Sequence, residues 1–186
     1  MDENLNTNEP GQAKELVIKR TITMQGRTMT LLGEEIKPGM PAPDFKAIDN
    51  DMLPMKFSRT YKGKITVISA VPSLDTPVCD LQTRRFNKEA EALDPEISVI
   101  TISMDLPFAQ KRWCGAAGVK RVKTFSDYQK ADFGKSYGVL IKELRLLARS
   151  VFIVDKDGLV KYTQIAPEAA KELNYEEVMT ALKALV

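Results

Sequence analysis

Two nearly unbroken apolar runs, ITVISAV at 65–71 and ISVITISM at 97–104, constrain the fold of this chain more than any other feature. Both are short and rich in β-branched residues, as strands buried on both faces are. Between them, Pro77 to Leu93 carries apolar residues at Val78, Leu81, Phe86, Ala90 and Leu93, close to helical spacing. Pro77 suits the first helical turn, where its missing N–H leaves nothing unpaired. A strand, a helix and a second strand in this order make a right-handed parallel crossover.

The remaining elements are read around that unit. Val17–Met24 and Arg27–Leu32 flank Gln25-Gly26 and predict an N-terminal β-hairpin. KPGMPAPDF is a proline-rich loop leading to a short strand near Phe45–Asp49, and TYKGK is a turn. After the second apolar run, Asp105 is placed to cap a helix with Pro107 in its first turn, ended by Gly115 and Gly118. Asp132–Tyr137 suits a short helix. Ser150–Val154 and Leu159–Gln164 flank DKDG, which reads as a hairpin turn rather than a calcium loop, because the other spaced ligands are missing. Asn174 and Glu177 form a capping-box pattern for a last helix, with Leu173 and Val178 placed to staple it. The expected architecture is α/β: a mixed central sheet flanked by helices on both faces, preceded by the hairpin.

Composition removes several classes of function. The 186 residues contain no histidine, which excludes Ser-His-Asp and Cys-His catalysts and histidine-held zinc or haem. Two cysteines are too few for a Cys₄ metal centre, so no metal or cofactor is expected. With 27 basic and 25 acidic residues the net charge is +2, which calls for neither nucleic acid nor an anionic membrane as partner. The basic pairs Arg84-Arg85, Lys111-Arg112 and Lys120-Arg121 are expected on solvated faces. No apolar run approaches a membrane span, and MDENLNTNEPGQAKE lacks the regions of a secretory signal. Residues 1–15 are expected as a flexible tail before one domain over 16–186, and the cytoplasm as the location.

Chemistry then rests on thiols. Cys79 lies in VPSLDTPVCDLQTRRFN, just past a buried strand and at a helix start. An attacking sulfur must be a thiolate, whereas a free thiol has a pKa near ~8.5. A helix N-terminus offers unpaired N–H groups and a positive dipole end. Thr76, three residues earlier, can present a hydroxyl, while Pro72 and Pro77 stiffen and shield the loop. Arg149, at the start of the apolar strand in LLARSVFIVD, is the candidate fixed cation, since a charge there needs a partner. Cys114 follows Trp113 near the end of the second helix and is the only other thiol. The two cysteines are 35 positions apart, at 79 and 114, so this is not a C-x-x-C redox site. Oxidation of one thiol to a sulfenic acid and condensation with the other would be peroxide chemistry. Two other readings fit the same residues: a redox sensor switched by the disulfide, and an interaction protein with inert, packed thiols.

PSLDTPVCDLQTRRFN resembles the active-site segment of the thiol peroxidases, the atypical two-cysteine branch of the peroxiredoxins. Pro72, Thr76 and Cys79 match the pattern P-x-x-x-T/S-x-x-C. DLPFAQKRWCG is similar to that family's segment with the second cysteine, and LLARSVFIVD to its arginine-bearing strand. YKGKITVISAVPS and the opening hairpin extend the likeness from about Val17 to the C-terminus. The resemblance implies a thioredoxin-like fold and a homodimer. It implies Cys79 as peroxidatic cysteine, Cys114 as resolving cysteine and a disulfide between them. Thr76 and Arg149 would hold the thiolate and polarise the peroxide, with Pro72 shaping the pocket. Hydroperoxides, including alkyl ones, are the implied substrates, and thioredoxin the implied reductant.

Overall fold

The computed structural model describes residues 20–91 and 95–186. The expected tail over 1–15, residues 17–19 of the first expected strand and the end of the first helix at Leu93 lie outside the described residues. The crossover is present as β5 (Thr66–Ala70), α2 (Pro77–Glu91) and β6 (Ser98–Ser103), with β5 and β6 parallel from Thr66↔Ser98 to Ala70↔Ile102. All five residues of β5 are buried, as an apolar run without polar alternation requires.

α3 (Pro107–Ala117) returns the chain to β7 (Val122–Ser126), which lies parallel to β6. The sheet is completed by β9 (Ser150–Val154), β10 (Val160–Ile165), β3 (Lys46–Ile48) and β4 (Pro54–Lys56), in the order β10-β9-β5-β6-β7-β3-β4. β9 runs antiparallel to β5 and β10, and β3 antiparallel to β7 and β4, so the sheet is mixed. The β9–β10 turn is the DKDG segment: Asp155 accepts from the N–H groups of Asp157 and Leu159, and Gly158 takes φ +80°.

Side-chain alternation assigns the two faces. Val67, Val99, Val122, Val151 and Ile153 point toward α2 and α5 (Tyr175–Lys183), burying Phe86, Ala90, Val178 and Leu182 between. Ile68, Ile100, Ile102, Phe125 and Phe152 point the other way, into an aromatic-rich core with Phe45, Phe57, Phe133 and Tyr137. That second face carries α1 (Phe57–Thr60) and α4 (Asp132–Ser136). It also packs the hairpin β1 (Thr21–Met24) and β2 (Arg27–Leu32), which forms a small sheet with β8 (Leu140–Ile141). A Cβ on Gly138, at φ +64°, would collide with the carbonyl of Glu34, so only glycine lets this segment meet the one that follows β2.

Three local expectations are corrected. Asp105 does not cap α3: Leu106 occupies that position with no side-chain bond, and the Asp105 carboxylate instead accepts from Ser73 Oγ, Leu74 N and Ser103 Oγ. Gly115 does not end the helix, which continues to Ala117, and Gly118 closes it at φ +64°. Asn174 caps α5 by accepting from Glu177 N, but Glu177 returns to the Asn174 side-chain amide rather than to its backbone. Leu173 and Val178 are both buried, as a hydrophobic staple requires.

Candidate active site

The loop between β5 and α2 is tied down before the helix begins. Asp105, just beyond β6, holds Ser73 Oγ at 2.7 Å and Leu74 N at 2.8 Å, and Thr76 N closes a turn on Ser73 O. Thr76 O accepts the first helical bond, from Asp80 N at 2.9 Å, so Pro77, Val78 and Cys79 form the first turn of α2. Cys79 thereby sits where N–H groups lack partners within the helix and the dipole is positive. Its side chain is fully buried, in a small cluster with Val71, Leu74 and Trp113.

Arg149, at the head of β9, reaches this sulfur. Its side chain is 2% exposed, and its guanidinium donates to Ala169 O at 3.0 Å, Gln82 Oε1 at 2.7 Å and Cys79 Sγ at 3.2 Å. A buried guanidinium without an anion is unfavourable. Of the three groups it donates to, only the sulfur can carry a negative charge. The pocket is therefore electrostatically complementary to a thiolate.

Gln82 is the residue that sequence reasoning passed over. It lies three positions after Cys79 on the same helix face, is fully buried, and spans from Arg149 to Ser69 Oγ, to which its amide donates at 2.7 Å. A polar residue at that offset inside an amphipathic helix was the available sign.

The other candidate residues fall into place differently. Pro72, within the loop, is buried, whereas Thr76 is exposed and its hydroxyl donates to Ser73 O at 3.0 Å. Cys114, on α3, is half-buried, and both cysteines are free. Its sulfur lies 3.3 Å from Thr124 Oγ1 and 3.8 Å from Asn50 Nδ2. The neighbours of the two cysteines meet directly: Asp80 accepts from Trp113 Nε1 at 2.9 Å and from Arg84 Nε at 2.9 Å. Arg84 lies over the Trp113 ring at 5.6 Å and Arg85 over the Tyr175 ring at 4.0 Å, so this basic pair is exposed yet seated on aromatic faces. Among the described residues no cluster of three or more His, Cys, Asp or Glu side chains is placed to hold a metal ion.

Comparison with known proteins places the chain in a family. The Redoxin family model matches residues 37–179. The chain is 53% identical over 165 residues to a thiol peroxidase of Bacillus subtilis, an alignment covering 89% of this chain and 98% of that protein. It is 51% identical over 164 residues to a thiol peroxidase of Halalkalibacterium halodurans, covering 88% and 98%. Among solved structures, a peroxiredoxin-like protein from Aquifex aeolicus superposes with a TM-score of 0.84 at 41% identity, covering 90% of this chain and 98% of that one. A thiol peroxidase from Chromobacterium violaceum shares the fold, with a TM-score of 0.80 at 18% identity over 88% of this chain and 95% of the other. A helix-start cysteine under a buried arginine, on a thioredoxin-like mixed sheet, is thus found in a chain that belongs to the Redoxin family, within its thiol peroxidases.

Proposed function

We propose that this thiol peroxidase reduces hydrogen peroxide and organic hydroperoxides through Cys79, with Cys114 as resolving cysteine and thioredoxin as the dithiol that restores both. The observation that carries the reading is the 3.2 Å bond from Arg149 Nη2 to Cys79 Sγ inside a pocket with no other anion among the arginine's partners. The Cys79 thiolate attacks the terminal peroxide oxygen: the S–O bond forms, the O–O bond breaks, and the leaving oxygen takes up from solvent the proton that the thiol gave up on ionising, departing as water or an alcohol. Arg149 and the first-turn N–H groups of α2 lie where negative charge moves from sulfur to oxygen, so they stabilise the transition state as well as the thiolate. Thr76, whose hydroxyl is bound to Ser73 O in this conformation, would join them by rotating toward the peroxide, with Pro72 as the pocket's rear wall.

Because Cys79 is fully buried, peroxide enters when the 72–78 loop shifts. The Cys114 thiol then attacks the sulfenic acid; the S–S bond forms, the S–O bond breaks, and the hydroxyl leaves with the thiol proton as water. Cys79 Sγ is held by Arg149 and Cys114 Sγ by Thr124, so the first turn of α2 and the Trp113–Gly115 turn unwind to release the two sulfurs and bring their Cα atoms within the ~7 Å that a disulfide requires. The proposed assembly is a homodimer, and the proposed compartment the cytoplasm, where reduced thioredoxin is available. No helix among the described residues is long and apolar enough to cross a membrane.

The test is the intact mass of the reduced protein seconds after one equivalent of hydroperoxide, followed by peptide mapping. Loss of two hydrogens with Cys79 joined to Cys114 in one chain is expected. Cys79→Ser is expected to abolish turnover, and Cys114→Ser to oxidise once and then stall with thioredoxin. An unchanged wild-type mass would make Cys79 a packing residue, and a single oxidation that thioredoxin never reverses would indicate a sensor.

A further inference from the structure

The sulfur of Cys114 is not loose on the surface of α3. It lines a groove of about 540 Å³ between α3, β7 and the 49–55 segment, together with Asn50, Thr124 and Val122. Thr124 is 3% exposed, and its hydroxyl is shared between Cys114 Sγ at 3.3 Å and the Asn50 side chain, with Nδ2 at 2.9 Å and Oδ1 at 3.1 Å. Asn50 Nδ2 also faces the sulfur, at 3.8 Å. A hydroxyl that donates to the Asn50 carbonyl oxygen is left to accept from the thiol, so every polar atom of the trio has a partner while Cys114 is reduced.

The location matters as much as the bonds. Thr124 belongs to β7, whereas the arginine that holds Cys79 stands at the head of β9, and β5 and β6 lie between these strands. The anchors of the two sulfurs therefore stand on strands separated by two others, although Cys114 packs against the same small cluster that buries Cys79. Forming the disulfide means breaking the contacts of Cys114 with Thr124 and Asn50.

We infer that Asn50 and Thr124 form a rest position for Cys114, holding its sulfur against β7 in the reduced enzyme so that its release is part of the barrier to disulfide closure. The inference rests on the resolving role proposed for Cys114. It makes the pair a brake on the second step: the longer Cys114 is held, the longer the Cys79 sulfenic acid is exposed to a second peroxide.

The experiment follows Cys79 oxidation and disulfide closure separately, by rapid mixing with hydrogen peroxide and acid-quench mass analysis. Thr124→Val keeps the shape of a β-branched strand residue and removes the hydroxyl. It is expected to raise the ratio of closure rate to oxidation rate about three- to fivefold, the weight of one modest hydrogen bond. Asn50→Ala, on a half-buried loop, is expected to move the ratio the same way, and Thr124→Ser to restore the wild-type value. Both faster-closing variants should also accumulate less sulfinic acid at high peroxide. An unchanged or lowered ratio in both Thr124→Val and Asn50→Ala would overturn the inference, a lowered one because the pair would then activate the thiol rather than hold it. A wild-type protein that forms no Cys79–Cys114 disulfide would overturn the resolving role and, with it, this inference.

Discussion

Arg149 donates to a carbonyl, a carboxamide and a sulfur, and it is Gln82 that fixes which of its nitrogens faces the sulfur. Truncating the amide while keeping the volume, as in Gln82→Met, leaves a buried guanidinium nitrogen and Ser69 Oγ without their shared partner. Leaving such a charged donor unsatisfied is worth about 1–3 kcal/mol. The second-order rate of Cys79 oxidation is therefore expected to fall on the order of tenfold, while the closure step, in which the Gln82 bonds to Ser69 and Arg149 are given up, is not expected to slow; stopped-flow oxidation with mass analysis separates the two. Pro72, Thr76 and Cys79 were legible as a motif because their spacing is local. Gln82 was not, because a glutamine in a helix announces its role only when its partners from β5 and β9 are known.

The short helix α4 depends on one side chain. Asp127 is 2% exposed and accepts from Phe133 N at 3.1 Å and Gly134 N at 2.8 Å, closing the turn that launches the helix. Burial raises its carboxyl from 3.8 to about 6, against the lowering effect of those N–H groups. The folded state thus binds this proton more tightly than the unfolded chain does. Its contribution to stability is largest below about pH 4 and is lost as the pH rises to about 6. Asp127→Asn removes this titration. Whatever its constant offset, the stability difference between wild type and variant is expected to shift against the wild type between pH 4 and 7 by on the order of 3 kcal/mol, read by chemical denaturation at each pH. At the same scale, Asp105 was expected to cap a helix and instead anchors the loop ahead of Cys79, because Ser73 and Leu74 come within reach only after β5 and β6 pair. The strand β7 escaped notice because Lys123 and Thr124 separate its two apolar residues, Val122 and Phe125, although Lys123 simply points to solvent.

Across the whole molecule, the face that carries both cysteines is divided. Ser69, Thr101 and Thr124 are paired across β5, β6 and β7 and form a buried hydroxyl row, in which Thr101 Oγ1 has no hydrogen-bond partner among the described residues. The cysteine end of α2 rests over this polar row through Gln82, while its far end packs Phe86 and Ala90 against Val67, Val99 and α5. Undocking the first turn opens only the small cluster of Val71, Leu74 and Trp113, whereas undocking the last turns would expose the larger core between the sheet, α2 and α5. Oxidation to the disulfide is therefore expected to lower amide-exchange protection around 76–82 and 111–116, leave 86–90 protected, and change the fluorescence of Trp113 as its bond to Asp80 breaks. Equal protection of these segments in both redox states would rule out the unwinding.

By itself the sequence determined the parallel crossover, the hairpins at Gln25-Gly26 and Asp155–Gly158, the glycine stop of α3 and a cysteine in the first turn of α2. Each follows from interactions within a few residues, where periodicity, missing N–H groups and positive φ act directly on the local chain. Only the tertiary structure decided that Arg149 meets Cys79, that Gln82 orients it, and that Cys114 faces Thr124 and Asn50 rather than the sulfur it is proposed to attack. Those contacts join residues 64 to 70 positions apart, apart from the ten between Cys114 and Thr124, and they depend on strand order and register. Sequence spacing carries no information about either until the sheet has formed.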